Sequence, residues 1–306
     1  MLIYKNIDNK YNNIKEVAKE YFQMSDRLII KLKKYKRIYL NGKSVYINNL
    51  ISKNDIIEFD IDFDEESENI ISENKPIDII FEDEYLLILN KPSGIPVHPS
   101  ILHYNDSLSN RVKYYFETID LKRKLRPVNR LDKDTSGIVI FAKNEYIQEC
   151  LVKQMKTNTF IKEYLGILDG YLNKKIGTIN APIARKEGSI IEREINKYGD
   201  ISITHFEVIK EFEIKESNFD INSNRILNLS LVKFKLETGR THQIRVHSKY
   251  IGHPLVGDSL YGNTSSLINR QALHSYKVSF IHPITKQILC FEIDLPNDMK
   301  EILNQA

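Results

Sequence analysis

At 306 residues the chain has room for one large domain plus a smaller one around a sizeable core, and its 42% hydrophobic and 28% charged residues are ordinary for a soluble globular protein. No run of eighteen apolar residues occurs, and the N-terminus has no apolar stretch of signal-peptide length; neither a membrane span nor a secretory leader is expected, and the cytosol is the expected compartment. The net charge of +3 does not by itself announce a nucleic-acid binder, and Cys150 and Cys290 lie too far apart for metal-ligand spacing, so no metal is expected.

The distribution of charge says more than its sum. Lys31, Lys33, Lys34, Lys36, Arg37 and Lys43 follow one another with no acid between them, and an acidic run from Glu58 to Glu68 follows with no base. Apolar spacing from Met24 to Leu40 predicts a helix, capped by Ser25 or Asp26, and Asn41-Gly42 predicts a turn. Short strands are expected at Val45–Ile47 and Ile56–Phe59, and the acidic run with residues 67–76 reads as a solvated connector.

Beyond residue 76 strands and helices alternate. Strands are expected at Ile79–Phe81, Tyr85–Asn90 and Ile138–Ala142, with helices through Leu108–Ile119 (capped at Asp106 or Ser107) and from Asn144 through Met155. Further strands are expected at Thr204–Ile209, Val232–Glu237, Leu273–Ile281 and Leu289–Leu295. Many strands with few helices imply an α+β fold with a largely antiparallel mixed sheet and flanking helices, preceded by a small α+β module. The expected division is 1–70 and 71–306.

The chemistry centres on Arg130-Leu131-Asp132-Lys133-Asp134-Thr135-Ser136-Gly137, a carboxylate presented on a loop between extended segments. These residues fit RLDxxTSG, the signature of large-ribosomal-subunit, RluA-type pseudouridine synthases, and the likeness extends in order along the chain. Asn90–Pro99 resembles NKPxGxxVHP, Lys162-Glu163-Tyr164 resembles KxY, and Ala181–Arg185 contains PIxR. Thr238–His247 reads TGRTHQIRVH, followed by Gly252-His253-Pro254, Gly257-Asp258, Arg270–His274 and His282-Pro283. One departure is Asn129, where the family usually carries His. Residues 22–61, with their basic helix, Asn-Gly turn and closing strand, resemble the S-four-type RNA-binding domain named after a small-subunit ribosomal protein.

The resemblance implies an enzyme that breaks the bond between the ribose anomeric carbon and uracil nitrogen 1, turns the base, and re-bonds it through carbon 5. The reaction needs no redox change and no external group, so no cofactor is implied. Asp132 would be the catalytic carboxylate, as nucleophile or as base toward the ribose. Arg245 would pair with it and favour its charged form. Tyr164 would stack on the base and assist proton removal from carbon 5, and Arg130 would fill the gap left by the flipped nucleotide. RNA contacts are expected from Lys31, Lys33, Lys34, Arg37, Lys43 and Arg240.

Large-subunit 23S rRNA is the first expected substrate and transfer RNA the second, acted on by a monomer. His242 and His247 read as structural or phosphate-facing, since nothing completes a metal ligand set. Asp134 reads as a solvated neighbour, and the loop glycines Gly94, Gly137 and Gly239 form no dinucleotide fingerprint. Two rivals stand beside this reading. A non-catalytic RNA-binding or ribosome-assembly protein would be marked by loss of Asp132, Tyr164 or Arg245, and all three are present. A small-molecule glycosidase would not need the basic N-terminal stretch.

Overall fold

The basic N-terminal stretch forms a helix and a strand, not one long helix. In the computed structural model, which describes residues 1–101, 103–217 and 224–306, strand β1 (Leu2–Lys5) and a helical turn α1 (Ile14–Glu16) precede helix α2 (Asp26–Lys34). Ser25 caps α2 by accepting from the Leu28 amide. The helix stops early because Lys36 turns left-handed (φ 55°), with the Arg37 amide bonded to Leu32 O and the Lys36 amide to Lys33 O. This is a Schellman stop with lysine where glycine is usual, so no glycine marks it in the sequence.

Strand β2 (Ile38–Leu40) turns at Asn41-Gly42, both at positive φ, into the two-residue β3 (Lys43–Ser44). The ladder ends there, so the strand expected at Val45–Ile47 does not form. Strand β4 (Ile56–Phe59) completes a four-stranded sheet in the order β1-β4-β2-β3.

The acidic run is packed, which corrects its reading as a solvated connector. Ile57, Phe59, Ile61 and Phe63 alternate inward and are at most 6% exposed. Four of the acids meet cations: Asp60 pairs with Arg37 (2.6 Å), and Glu65 pairs with both Lys31 and Arg126 (2.5 Å each). Arg123 reaches Asp62 and Asp64 (3.6 and 3.4 Å).

Strands β5 (Ile79–Glu82) and β6 (Leu86–Lys91), helix α3 (Leu108–Thr118), strand β7 (Ser136–Ala142) and helix α4 (Glu145–Lys156) follow. Ser107 and Asn144 cap the two helices. Next come β8 (Ile161–Asp169), β9 (Ile176–Asn180), the hairpin β10 (Ile183–Arg185) and β11 (Arg193–Ile195), β12 (Ile203–Ser217) and β13 (Asn224–Leu236). Helix α5 (Gln243–Tyr250), strands β14 (Leu273–Ile281) and β15 (Ile288–Glu292), and helix α6 (Asn297–Asn304) complete the chain.

The large sheet has nine strands in the order β5-β6-β7-β14-β8-β13-β12-β9, with β15 beside β14. Its β7–β14 pairing is parallel and the others are antiparallel, as the expected mixed sheet requires. All seven residues of β7 are buried, because both faces of the sheet are covered. On one face Leu86, Ile88, Ile138 and Ile140 join Leu28, Leu32 and Phe59 of the N-terminal region in one core. On the other, Leu87, Leu89, Val139 and Phe141 pack with Tyr164 and Phe234 beneath the functional loops.

Gly137 sits where the parallel strands touch, at φ +119°, and a Cβ there would lie 2.3 Å from Ser275 O. Both the backbone angle and the clash forbid a side chain. Gly137→Ala is therefore expected to cost about 3 kcal/mol of stability in a urea titration. An unchanged midpoint would contradict this account of the contact.

Candidate active site

Asp132 lies on the loop entering β7, and that loop is tied from several sides. Lys91, wholly buried, donates through Nζ to the carbonyls of Pro92, Ile95 and Lys133 (2.8, 2.8 and 2.9 Å), joining the Asn90–Gly94 turn to the loop. Burial pushes the Lys91 pKa down to about 7, while Asp134 and Asp132 pull the other way. From beneath, Arg270 Nη1 donates to Asp134 O (3.1 Å) and is itself forked onto Asp298 of α6. Gln271 donates to Thr135 Oγ1 (3.1 Å), and Ser136 Oγ bonds His274 Nδ1 (2.8 Å).

Asn129, where the family usually has His, is buried against the edge of β7. Its side chain donates to Ile138 O and accepts from the Ile140 amide, both at 2.9 Å. A neutral amide with one donor and one acceptor suits those two backbone groups, so this residue anchors the loop before Arg130.

Arg245, on α5, holds the carboxylate. Its Nη1 lies 3.3 Å from Asp132 Oδ2, while Nε and Nη2 each donate to Asp258 at 2.8 Å. Burial works against the guanidinium charge, but Asp258 and then Asp132 outweigh it and raise the Arg245 pKa. The Asp258 side chain is fully buried and also accepts from the Leu260 and Tyr261 amides (3.1 and 3.2 Å). Asp132 keeps 27% of its side chain exposed, so one carboxylate is the anchor and the other faces the cleft.

The second oxygen of Asp132 faces His242, whose Nε2 is 3.9 Å away. His242 caps α5 in a left-handed conformation (φ 56°). Its Nδ1 bonds the Tyr261 hydroxyl (2.8 Å), which also accepts from the Arg193 amide (2.8 Å). With the hydroxyl donating to Nδ1, the imidazole proton sits on Nε2, on the side of Asp132. Burial, aided by Arg245, lowers the His242 pKa against the pull of Asp132, keeping the ring neutral near pH 7. His247 is wholly buried and structural, bonded to Thr204 Oγ1 and Ala181 O.

Tyr164, on β8, lines the same recess as Asp132 and Arg245 and is 6% exposed. Burial pushes its hydroxyl up to about 12, with the charge of Asp132 adding to the rise and the Ser275 hydroxyl opposing it. The recess opens into a cleft of about 800 Å³, with Arg130 and Arg240 on its wall. Arg130 is exposed; Arg240 is held at the rim by Ile201 O (3.3 Å) and Asp200 (3.6 Å).

The other expected RNA contacts lie on the N-terminal region and divide into two groups. Lys33, Lys34 and Lys43 are exposed, whereas Lys31 and Arg37 pair with Glu65 and Asp60 and both stand against the Phe63 ring. Sequence reasoning gave no role to Asp258, Tyr261 or Lys91; the Gly257-Asp258 motif was the available signal for the first.

A deep, cation-walled cleft over an arginine-held carboxylate and a buried tyrosine is the site of an enzyme that acts on an anionic substrate. Residues 85–250 match the RNA pseudouridylate synthase family model. The chain belongs to that family, and it is an isomerase that converts uridine in RNA to pseudouridine.

It is 41% identical over 268 residues to "Uncharacterized RNA pseudouridine synthase YhcT" of Bacillus subtilis (strain 168), covering 88% of this chain and 84% of the relative. It is 34% identical over 275 residues to ribosomal large subunit pseudouridine synthase D of Blochmanniella floridana, covering 84% and 78%. The fold is similar to that of human RNA pseudouridylate synthase domain containing 1, with a TM-score of 0.58 and 23% identity over 72% of this chain and 83% of the human one.

Proposed function

We infer that the substrate is large-subunit 23S rRNA, that Asp132 is the catalytic carboxylate, and that residues 1–70 form an S-four-type RNA-binding module on a catalytic domain of residues 71–306. The observation that carries the reading is the Asp132–Arg245–Asp258 arrangement beside Tyr164 at the base of a basic cleft. Relatives named as large-subunit synthases support the choice of RNA.

The target uridine must leave its stack to reach Asp132, and Arg130, exposed on the cleft wall, would fill the vacated space. Asp132, kept ionised by Arg245, attacks the anomeric carbon or removes a ribose proton as the bond to nitrogen 1 breaks. Tyr164 stacks on the freed uracil, and after carbon 5 has bonded to the ribose its oxygen assists removal of the carbon 5 proton. The reading places the enzyme in the cytoplasm as a monomer; no helix among the described residues is long and apolar enough to cross a membrane.

Mapping pseudouridines in total RNA from cells with and without the protein tests the substrate. Loss of a site in 23S rRNA is expected, and loss confined to transfer RNA would overturn the choice. For the N-terminal module, Lys33, Lys34 and Lys43 carry the proposal. Replacing all three by Gln is expected to weaken binding to a 23S transcript and to flatten its salt dependence by roughly 0.7–0.9 in log–log slope for each phosphate no longer neutralised. Equal slopes for variant and wild type would reduce these lysines to a solvated face.

A further inference from the structure

Lys162 is the second residue of β8 and stands two before Tyr164. The two-residue period of a strand puts both side chains on one face, and both line the cleft that holds Asp132. The intervening Glu163 is on the other face, accepting from the Tyr276 hydroxyl (3.1 Å).

The Lys162 ammonium has no hydrogen bond and no ion pair among the described residues. The carboxylates that line the cleft are already engaged: Asp132 with Arg245 (3.3 Å) and Glu237 with His205 (2.5 Å). Burial alone holds the Lys162 pKa below its usual value. A half-buried cation in a cleft without a protein partner is costly to keep, and such a group is retained where something else supplies the counter-charge.

Gly239 points the same way. Its φ is not in the left-handed region, so backbone freedom does not explain the glycine. A Cβ at 239 would stand 3.3 Å from Lys162 Nζ, so the absent side chain leaves the ammonium its place. Arg130 and Arg240 on the same wall make the surroundings positive, and an anion is the ligand that fits.

We propose that Lys162 is a phosphate-binding residue, whose ammonium takes one backbone phosphate of the RNA strand that delivers the uridine to Asp132. The inference rests on the cleft being the RNA site. It adds to that site a fixed contact beside the reacting base, which sets how deep the strand enters. The contact is electrostatic and carries no base identity, so it positions the nucleotide and leaves sequence choice to other groups.

The test uses the full chain and the shortest transcript fragment on which the wild type forms pseudouridine. Lys162→Gln is expected to weaken binding about 10- to 100-fold, as for removal of a charge-assisted hydrogen bond. It is also expected to lower the salt slope by about 0.7–0.9, while Lys162→Arg keeps the slope. Single methylphosphonates placed along the fragment should reveal one phosphate whose neutralisation weakens the wild type but not Lys162→Gln.

Wild-type affinity and slope in Lys162→Gln would overturn the proposal, as would a scan in which every neutralised phosphate affects both proteins alike. Should Lys162→Gln not fold, Lys162→Met takes its place, because it keeps the aliphatic stem and removes the charge. Equal sensitivity of the wild type and Lys162→Met at every phosphate is then the refuting outcome. Pseudouridine formation by the wild type reports on the cleft itself, so failure of that reading is distinguishable from failure of the Lys162 contact.

Discussion

Asp132→Asn is expected to abolish pseudouridine formation while the variant still binds its RNA as the wild type does. The amide keeps the shape of the carboxylate and loses both its charge and its nucleophilicity. Either role for Asp132, attack on the anomeric carbon or proton removal from the ribose, needs the ionised form. Losing the central group of such a site costs on the order of 10⁴-fold or more in rate. Binding survives because removing a negative charge from a cleft that receives phosphates takes away repulsion, and because Asp258 still anchors Arg245 through two hydrogen bonds of 2.8 Å. Single-turnover conversion with enzyme in excess, together with direct binding to the same RNA, separates the two effects. Conversion by the variant at a rate approaching the wild type's would remove Asp132 from the mechanism.

The architecture was legible wherever a period or a cap was written in the sequence. The capped helices α3 and α4, the buried run of β7 and the bounds of β14 follow from apolar spacing and from Ser107 and Asn144. The end of α2 was hidden because lysine takes the left-handed position that glycine usually marks. Helix α5 was hidden too, since its polar residues are buried by tertiary partners: Gln243 by Thr204 and Ile203, His247 by Thr204 and Ala181. The acidic run misled because charge dominated its composition. Its alternation of Ile57, Phe59, Ile61 and Phe63 was the stronger signal, and tertiary cations from Arg37 to Arg126 meet Asp60, Asp62, Asp64 and Glu65.

At the site, the pairing of Arg245 with Asp132 was expected from motif likeness and appears at 3.3 Å. What no motif spacing conveys is direction: that Arg245 turns two of its nitrogens to Asp258, or that Lys31 and Arg37 turn inward to Glu65 and Asp60. Such choices are made by the packing of elements distant in sequence. A basic run in the sequence therefore overstates the charge available to a partner.

Arg245→Leu is expected to lose stability as well as activity, and the larger structural effect falls on Asp258, not on Asp132. The Asp258 side chain is fully buried and receives hydrogen bonds from two nitrogens of the guanidinium and from the Leu260 and Tyr261 amides. Deleting the cation strands that carboxylate in the interior, at a cost of roughly 3–5 kcal/mol. Asp132, still 27% exposed, can recover hydration but loses the group that orients it and favours its charge, so turnover falls with it. Adding Asp258→Asn should restore part of the stability, because a neutral amide is less costly to bury unpaired, and should restore none of the activity. Arg245→Lys should fall between, since one ammonium cannot span both carboxylates as the planar fork does. Urea titrations of the three variants, read beside their single-turnover rates, check the whole scheme. A stable Arg245→Leu would mean that Asp258 does not depend on the guanidinium, and a stabilised but active double variant would mean that Asp132 does not either.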